Sequence, residues 1–90
     1  MDTRENTESV DITSRASVEE FLVSSWRHAL SLEHIGVEDN FFEIGGDSLV
    51  ALEVLVAIDE AIDTDVTITD LYERPTIREL ADFITGVGVG

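Results

Sequence analysis

Ninety residues with 43% hydrophobic content can close one small core and leave no room for a second globular unit. Twenty acidic residues stand against five arginines, with no lysine and no cysteine, for a formal net charge of −15. That balance excludes binding to nucleic acid or to an anionic membrane surface, a disulfide framework and a thiolate metal site, and any thiol must be imported. No basic residue occurs between Arg27 and Arg74, so the negative field is concentrated in the middle of the chain. No stretch approaches the roughly 20 apolar residues of a membrane span and the N-terminus is polar. A cytoplasmic monomer with basic partner surfaces is expected.

Met1 to Ala16 is polar and charged, with Val10 and Ile12 as isolated apolar positions, and the chain ends G-V-G-V-G. Residues 1–16 and 86–90 therefore read as tails around a unit at 17–85; the initial Met with short flanks is what a discrete protein would have, and a domain excised from a larger protein is the alternative. Ser17 with Glu20 three residues later forms a capping-box pattern, opening a helical series at Val18, Phe21, Leu22, Trp26, Ala29 and Leu30. Trp26 lies within that stripe and is read as core. From Ser31 to Asp47 the period is lost and Gly36, Gly45 and Gly46 appear. A connection this long in a compact domain is usually functional, with Ile35, Val37, Phe41, Phe42 and Ile44 as its anchors.

The second helix begins at Ser48 and runs to about Ile62. At 100° per residue, Val50, Ala51, Val54, Leu55, Ala57, Ile58, Ala61 and Ile62 fill one wide arc that can face a core. Leu49, Leu52 and Val56 fall opposite, interleaved with Glu53, Asp59 and Glu60. These six read as a partner surface with an apolar centre and a charged rim; the alternative is that the last helix or the long loop covers them. A short helix is expected at about Thr69–Tyr72, stopped by Pro75. Thr76 with Glu79 then caps a final helix through Ile77, Leu80, Ala81 and Ile84, ending near Gly86. The fold expected is all-α: a small four-helix bundle of three main helices and one short one.

The segment DNFFEIGGDSL sets a serine after a Gly-Gly-Asp turn at the start of an apolar helix. Glycines there leave room for another protein to approach the backbone, the hydroxyl is at an element end, and free amides of a helix N-terminus favour an anion such as a phosphodiester. An ordinary N-cap accounts for the same local pattern, since Asp and Ser are both usual caps.

DNFFEIGGDSLVAL resembles the attachment motif of peptidyl carrier (thiolation) domains of nonribosomal peptide synthetases. The resemblance continues through L-Y-E-R-P-T-I-R-E-L and back to Trp26, covering about Val18 to Ile84. It implies that a phosphopantetheinyl transferase moves 4'-phosphopantetheine from coenzyme A to Ser48, flanked by Gly46, Asp47 and Leu49. The arm's thiol then holds an aminoacyl, peptidyl or acyl thioester for an adenylation or acyl-loading enzyme and for downstream condensing or tailoring enzymes. The chain itself performs no catalysis. Such domains often carry basic residues along the second helix and a glycine after it, where Glu53, Ala57, Asp59 and Asp63 stand here. Those substitutions resemble acyl carrier proteins of polyketide and fatty acid pathways, while the motif favours an aminoacyl or peptidyl load.

Three rivals are weaker. G-D-S-L also resembles the GDSL esterases, but those need a longer α/β chain and a histidine downstream of the serine, whereas His28 and His34 both lie upstream. Asp63, Asp65, Thr67 and Thr69 alternate like a calcium loop, yet Ile68 replaces its glycine and Arg74 its bidentate glutamate, leaving a weak surface ion at most. An acidic helical adaptor without an arm would keep the acidic face and make Ser48 only a cap.

The charge makes a direct prediction. A net charge of −15 on so small a body opposes compaction, and the Debye length falls from about 10 Å at 0.1 M salt to a few ångströms at high salt. Raising sodium chloride to about 0.5 M is therefore expected to raise the melting temperature, measured by circular dichroism; a flat or falling value would mean that the acids are paired or well separated.

Overall fold

The computed structural model describes residues 10, 12–62 and 64–86; the rest of the expected tails, and Asp63, lie outside these residues. Four helices follow in order: α1 (Arg15–Leu30), α2 (Ser48–Ala61), α3 (Ile68–Glu73) and α4 (Ile77–Thr85). The described residues contain no strand, and no helix among them is long and apolar enough to cross a membrane.

The first helix starts earlier than the Ser17 box predicts. Ser14, in extended backbone, is the N-cap and accepts from the Ser17 amide at 3.3 Å, so Arg15 and Ala16 join the helix rather than the tail. Arg15 pairs with Asp82 of α4 at 3.2 Å, which ties down the turn that Ser14 opens. At its far end α1 stops at Ser31, the one non-glycine residue with positive φ among those described (58°), and Arg27 and His28 sit in its last turn, favourably placed against the helix dipole. The short helix also starts earlier than expected. Thr67 and Asp70 form a reciprocal capping box, with Asp70 N donating to Thr67 Oγ1 at 3.2 Å and Thr67 N to Asp70 Oδ2 at 2.9 Å. The α4 boundaries match expectation, with Thr76 accepting from Glu79 N at 3.1 Å and Gly86 (φ 74°) ending the helix.

α1 packs on α2 and α4, and α3 closes against α2. Val18, Leu22 and Trp26 from α1 meet Ala51, Val54, Ile58 and Ile62 from α2 and its cap, Leu71 from α3, and Ile77, Leu80 and Ala81 from α4. Every fully buried residue among those described is apolar. The remaining core member, Phe41, comes from the long loop. Its ring stands edge-on to Trp26 with centroids 4.8 Å apart, a geometry that adds to the area both rings bury.

Two backbone bonds hold this loop to the α3–α4 junction: Phe41 N donates to Pro75 O at 2.7 Å and Arg78 N to Val37 O at 2.9 Å. The Arg78 side chain adds ion pairs to Glu38 of the loop (3.1 Å) and Glu19 of α1 (3.7 Å). Surface pairs of this kind contribute at most about 1 kcal/mol, so the ring and the backbone bonds do most of the anchoring.

Gly46 depends on that anchoring. A β carbon at this position would overlap the Phe41 ring and stand 2.7 Å from the Phe41 carbonyl oxygen. Gly46→Ala is therefore expected to cost about 1–3 kcal/mol, the range for overpacking a core. Phe41→Leu/Gly46→Ala should destabilise by less than the sum of its single substitutions, because the smaller side chain yields part of the space. Urea unfolding followed by the single tryptophan, Trp26, measures both; additive losses would show that the close approach carries no strain.

Candidate functional site

The turn that leads into α2 is built residue by residue. Asn40 Oδ1 accepts from the amides of Phe42 (2.9 Å) and Glu43 (3.3 Å), and Asn40 O from Glu43 and Ile44, which winds residues 40–44 into a tight turn. Gly45, with φ at 119°, adopts a backbone that side chains disfavour and reverses the chain. Gly46 then lies on the Phe41 ring and donates its amide to Phe41 O at 2.9 Å. Asp47 is extended and Ser48 is the first helical residue.

This assigns the cap. Asp47 Oδ1 accepts from Val50 N at 3.0 Å and Asp47 O from Ala51 N at 2.8 Å, so Asp47, not Ser48, is the N-cap of α2. Ser48 is exposed, and its hydroxyl has no hydrogen-bond partner among the described residues. The amides of Ser48 and Leu49 have none there either, leaving two donors at the positive end of the helix. The glycines differ from expectation: the space at Gly46 is filled from within by Phe41, while a β carbon at the exposed Gly45 would meet only the Leu30 side chain, at 3.9 Å.

α2 presents the two faces that its periodicity predicts. Leu49, Leu52 and Val56 are 74%, 53% and 55% exposed, and Glu53, Asp59 and Glu60 beside them are exposed, so neither α4 nor the loop covers this side. None of these three acids has an ion pair among the described residues. The paired arginines lie elsewhere: Arg15 with Asp82, Arg74 with Asp70 and Glu73, and Arg78 with Glu19 and Glu38. Arg74 also lies over the Phe83 ring, 4.2 Å from its centroid. Asp59 and Glu60 stand near the negative end of α2, whose last turn has no basic residue, so local electrostatics disfavours them there.

One contact was not legible in the sequence. Phe42 stacks on Tyr72 of α3, with centroids 4.7 Å apart and planes 9° from parallel, and meets Phe41 edge-on at 5.0 Å. The two residues are far apart in the chain, and neither ring lies in a periodic stripe that would point to the other. His28 and His34 are exposed, and among the described residues no group of three or more acidic or histidine side chains could hold a metal ion. Thr67, one of the alternating oxygen residues, has its hydroxyl engaged with Asp70.

Known proteins resemble this chain in sequence and in shape. Over 70 residues the chain is 41% identical to bacitracin synthase 3 of Bacillus licheniformis, a match that covers 78% of this chain and 1% of that protein. Over 81 residues it is 33% identical to gramicidin S synthase 2 of Brevibacillus brevis, covering 90% of this chain and 2% of that protein. The chain thus spans a small fraction of the length of these relatives. The solved structure of the phosphopantetheine transferase Sfp in complex with coenzyme A and a peptidyl carrier protein contains a chain that superposes with a TM-score of 0.74 at 33% identity, covering 77% of this chain and 90% of that one. The structure of McyG A-PCP complexed with phenylalanyl-adenylate gives a TM-score of 0.73 at 26% identity over 90% of this chain and 13% of that one. Residues 20–84 match the family described as the phosphopantetheine attachment site, and the chain belongs to that family of carrier domains.

Proposed function

We propose that this chain carries an aminoacyl or peptidyl group as a thioester on a 4'-phosphopantetheine arm at Ser48, in nonribosomal peptide assembly or related secondary metabolism. The observation that carries the reading is the state of Ser48: exposed, first in its helix and relieved of capping by Asp47, so its hydroxyl is free to be modified without unmaking the helix start. The free Ser48 and Leu49 amides suit a phosphodiester at that oxygen, while the Asp47 carboxylate opposes it, so the arm should extend away from Asp47. When attached, the arm supplies the thiol that the cysteine-free chain lacks. The chain positions this oxygen and offers a surface, and catalysis belongs to its partners. Those partners are a phosphopantetheinyl transferase and an adenylation or acyl-loading enzyme, a reading supported by what the similar solved complexes hold, and, beyond them, downstream condensing or tailoring enzymes.

With coenzyme A and a promiscuous phosphopantetheinyl transferase, the purified chain is expected to gain the mass of one phosphopantetheine group, and Ser48→Ala to gain none. Because Asp47 holds the cap, Ser48→Ala should keep its stability to within about 0.5 kcal/mol, so its failure to load cannot be blamed on unfolding. An unmodified wild type, or a modified Ser48→Ala, refutes the assignment by mass spectrometry alone.

Leu49, Leu52 and Val56, rimmed by Glu53, Asp59 and Glu60, are the surface on which the partners dock. Reversing the three acids together to lysine should slow loading by the cognate enzyme and weaken its salt dependence. Leu52→Ala should also slow loading while losing less than the roughly 2–5 kcal/mol of a core leucine, since Leu52 is half exposed. Loading rates measured against sodium chloride decide this: an unchanged rate in the triple variant removes α2 from the interface.

A further inference from the structure

Four aromatic rings form a continuous path from the core to the surface. Trp26 meets Phe41 at 4.8 Å, Phe41 meets Phe42 at 5.0 Å, and Phe42 stacks on Tyr72 at 4.7 Å, where the path ends in a side chain 54% exposed. The path touches the site at Phe41, whose ring fills the space at Gly46 and whose carbonyl takes the Gly46 amide at 2.9 Å. Gly46 is two residues from Ser48, with only the cap between them.

Phe41 is held on one side by the fixed core ring of Trp26 and by the Pro75 carbonyl, and on the other by Phe42. Phe42 is half-buried, and the flat face that stacks on it belongs to α3, a six-residue helix whose one fully buried residue is Leu71. Close-packed rings transmit displacement rather than absorb it, because the gap needed to decouple them forfeits their contact energy. The Tyr72 ring thus backs Phe42, Phe42 backs Phe41, and the Phe41 ring fills the space over Gly46.

We propose that Tyr72 is a positioning residue for Ser48: through Phe42 and Phe41 its ring sets the turn that presents the hydroxyl. The proposal rests on Ser48 as the attachment point. It makes the short helix part of the attachment site without any contact between Tyr72 and the reacting atoms, and it assigns the work to the ring rather than to the tyrosine hydroxyl.

The test is a double-substitution cycle on the full chain, with transferase and coenzyme A, resolving kcat and KM for the carrier by mass spectrometry. Tyr72→Leu is expected to lower kcat about three- to tenfold with little change in melting temperature, and Tyr72→Phe to load as the wild type does. Tyr72→Gln, which keeps helix propensity without the ring, should match Tyr72→Leu. Phe42→Leu should reproduce the loss, and Phe42→Leu/Tyr72→Leu should be no slower than Phe42→Leu alone. Independently of loading, the Gly46 and Ser48 amide resonances should move in Tyr72→Leu and stay in place in Tyr72→Phe. A rise in KM at unchanged kcat would make Tyr72 a contact of the transferase, and multiplicative losses or a stationary Gly46 amide would break the path; either overturns the proposal. A wild type that takes up no arm overturns the attachment reading instead, while the amide shifts still report on the path.

Discussion

The Phe41 ring lies between Trp26 on one side and the α carbon of Gly46 on the other, with its own amide on the Pro75 carbonyl. A loop of irregular backbone has few ways to hold one shape, since it lacks a ladder of its own and each residue fixed costs roughly 1–2 kcal/mol of conformational entropy. Burying one large aromatic ring from the middle of the loop offsets part of that cost at a single point, and the backbone bonds to Pro75 and Arg78 then fix the orientation. The two glycines that follow are consequences of this placement: Gly46 because the ring leaves no space for a side chain, Gly45 because the chain must turn to reach α2. The Asp47 cap and the free Ser48 hydroxyl are delivered where that turn ends.

Periodicity made most of the bundle readable. The arc of α2 separates residues that are buried from Leu49, Leu52 and Val56, which are not, because a long apolar helix with charges on one side has only one way to face a core. Starts of helices were less secure. Ser14 and Ser17 both look like caps, and the choice of Ser14 follows from a long-range pair, Arg15 with Asp82, that no local window contains. The start of α3 carries a weaker signal in Thr67 and Asp70, with aspartate in the role more often taken by glutamate or glutamine. At the site, the motif singles out the serine but not its neighbours' duties. That Asp47 caps, that Gly46 is an internal contact and that Phe42 meets Tyr72 are facts of geometry between residues that carry no joint pattern.

The α2 surface is held at a cost to the folded chain. Three large apolar side chains remain half or more exposed, and two acids stand near the wrong end of a helix dipole with no cation in the last turn. A helix selected for stability alone would carry polar residues at the first three positions and a lysine or arginine near the last carbonyls. Departures of this kind concentrate where a protein meets others, and here they lie on the helix that Ser48 begins. Elsewhere the caps of α1, α3 and α4 are satisfied and Arg74 and Arg78 each reach two carboxylates, although Tyr72 of α3 is also half exposed and the buried Trp26 Nε1 has no hydrogen-bond partner among the described residues.

The arrangement of those arginines has a consequence for how the molecule travels. Arg15, Arg74 and Arg78 neutralise part of the side formed by α1, α3, α4 and the loop, while α2 keeps its acids uncompensated. Net charge alone would draw the chain toward a cationic surface in any attitude. Near contact, where screening leaves only the nearest charges to act, the α2 side offers such a surface acids that no arginine shares, so an encounter there gains more than one at the carboxylates that Arg15, Arg74 and Arg78 already hold. A cationic surface that meets the chain there lies against the helix that Ser48 opens.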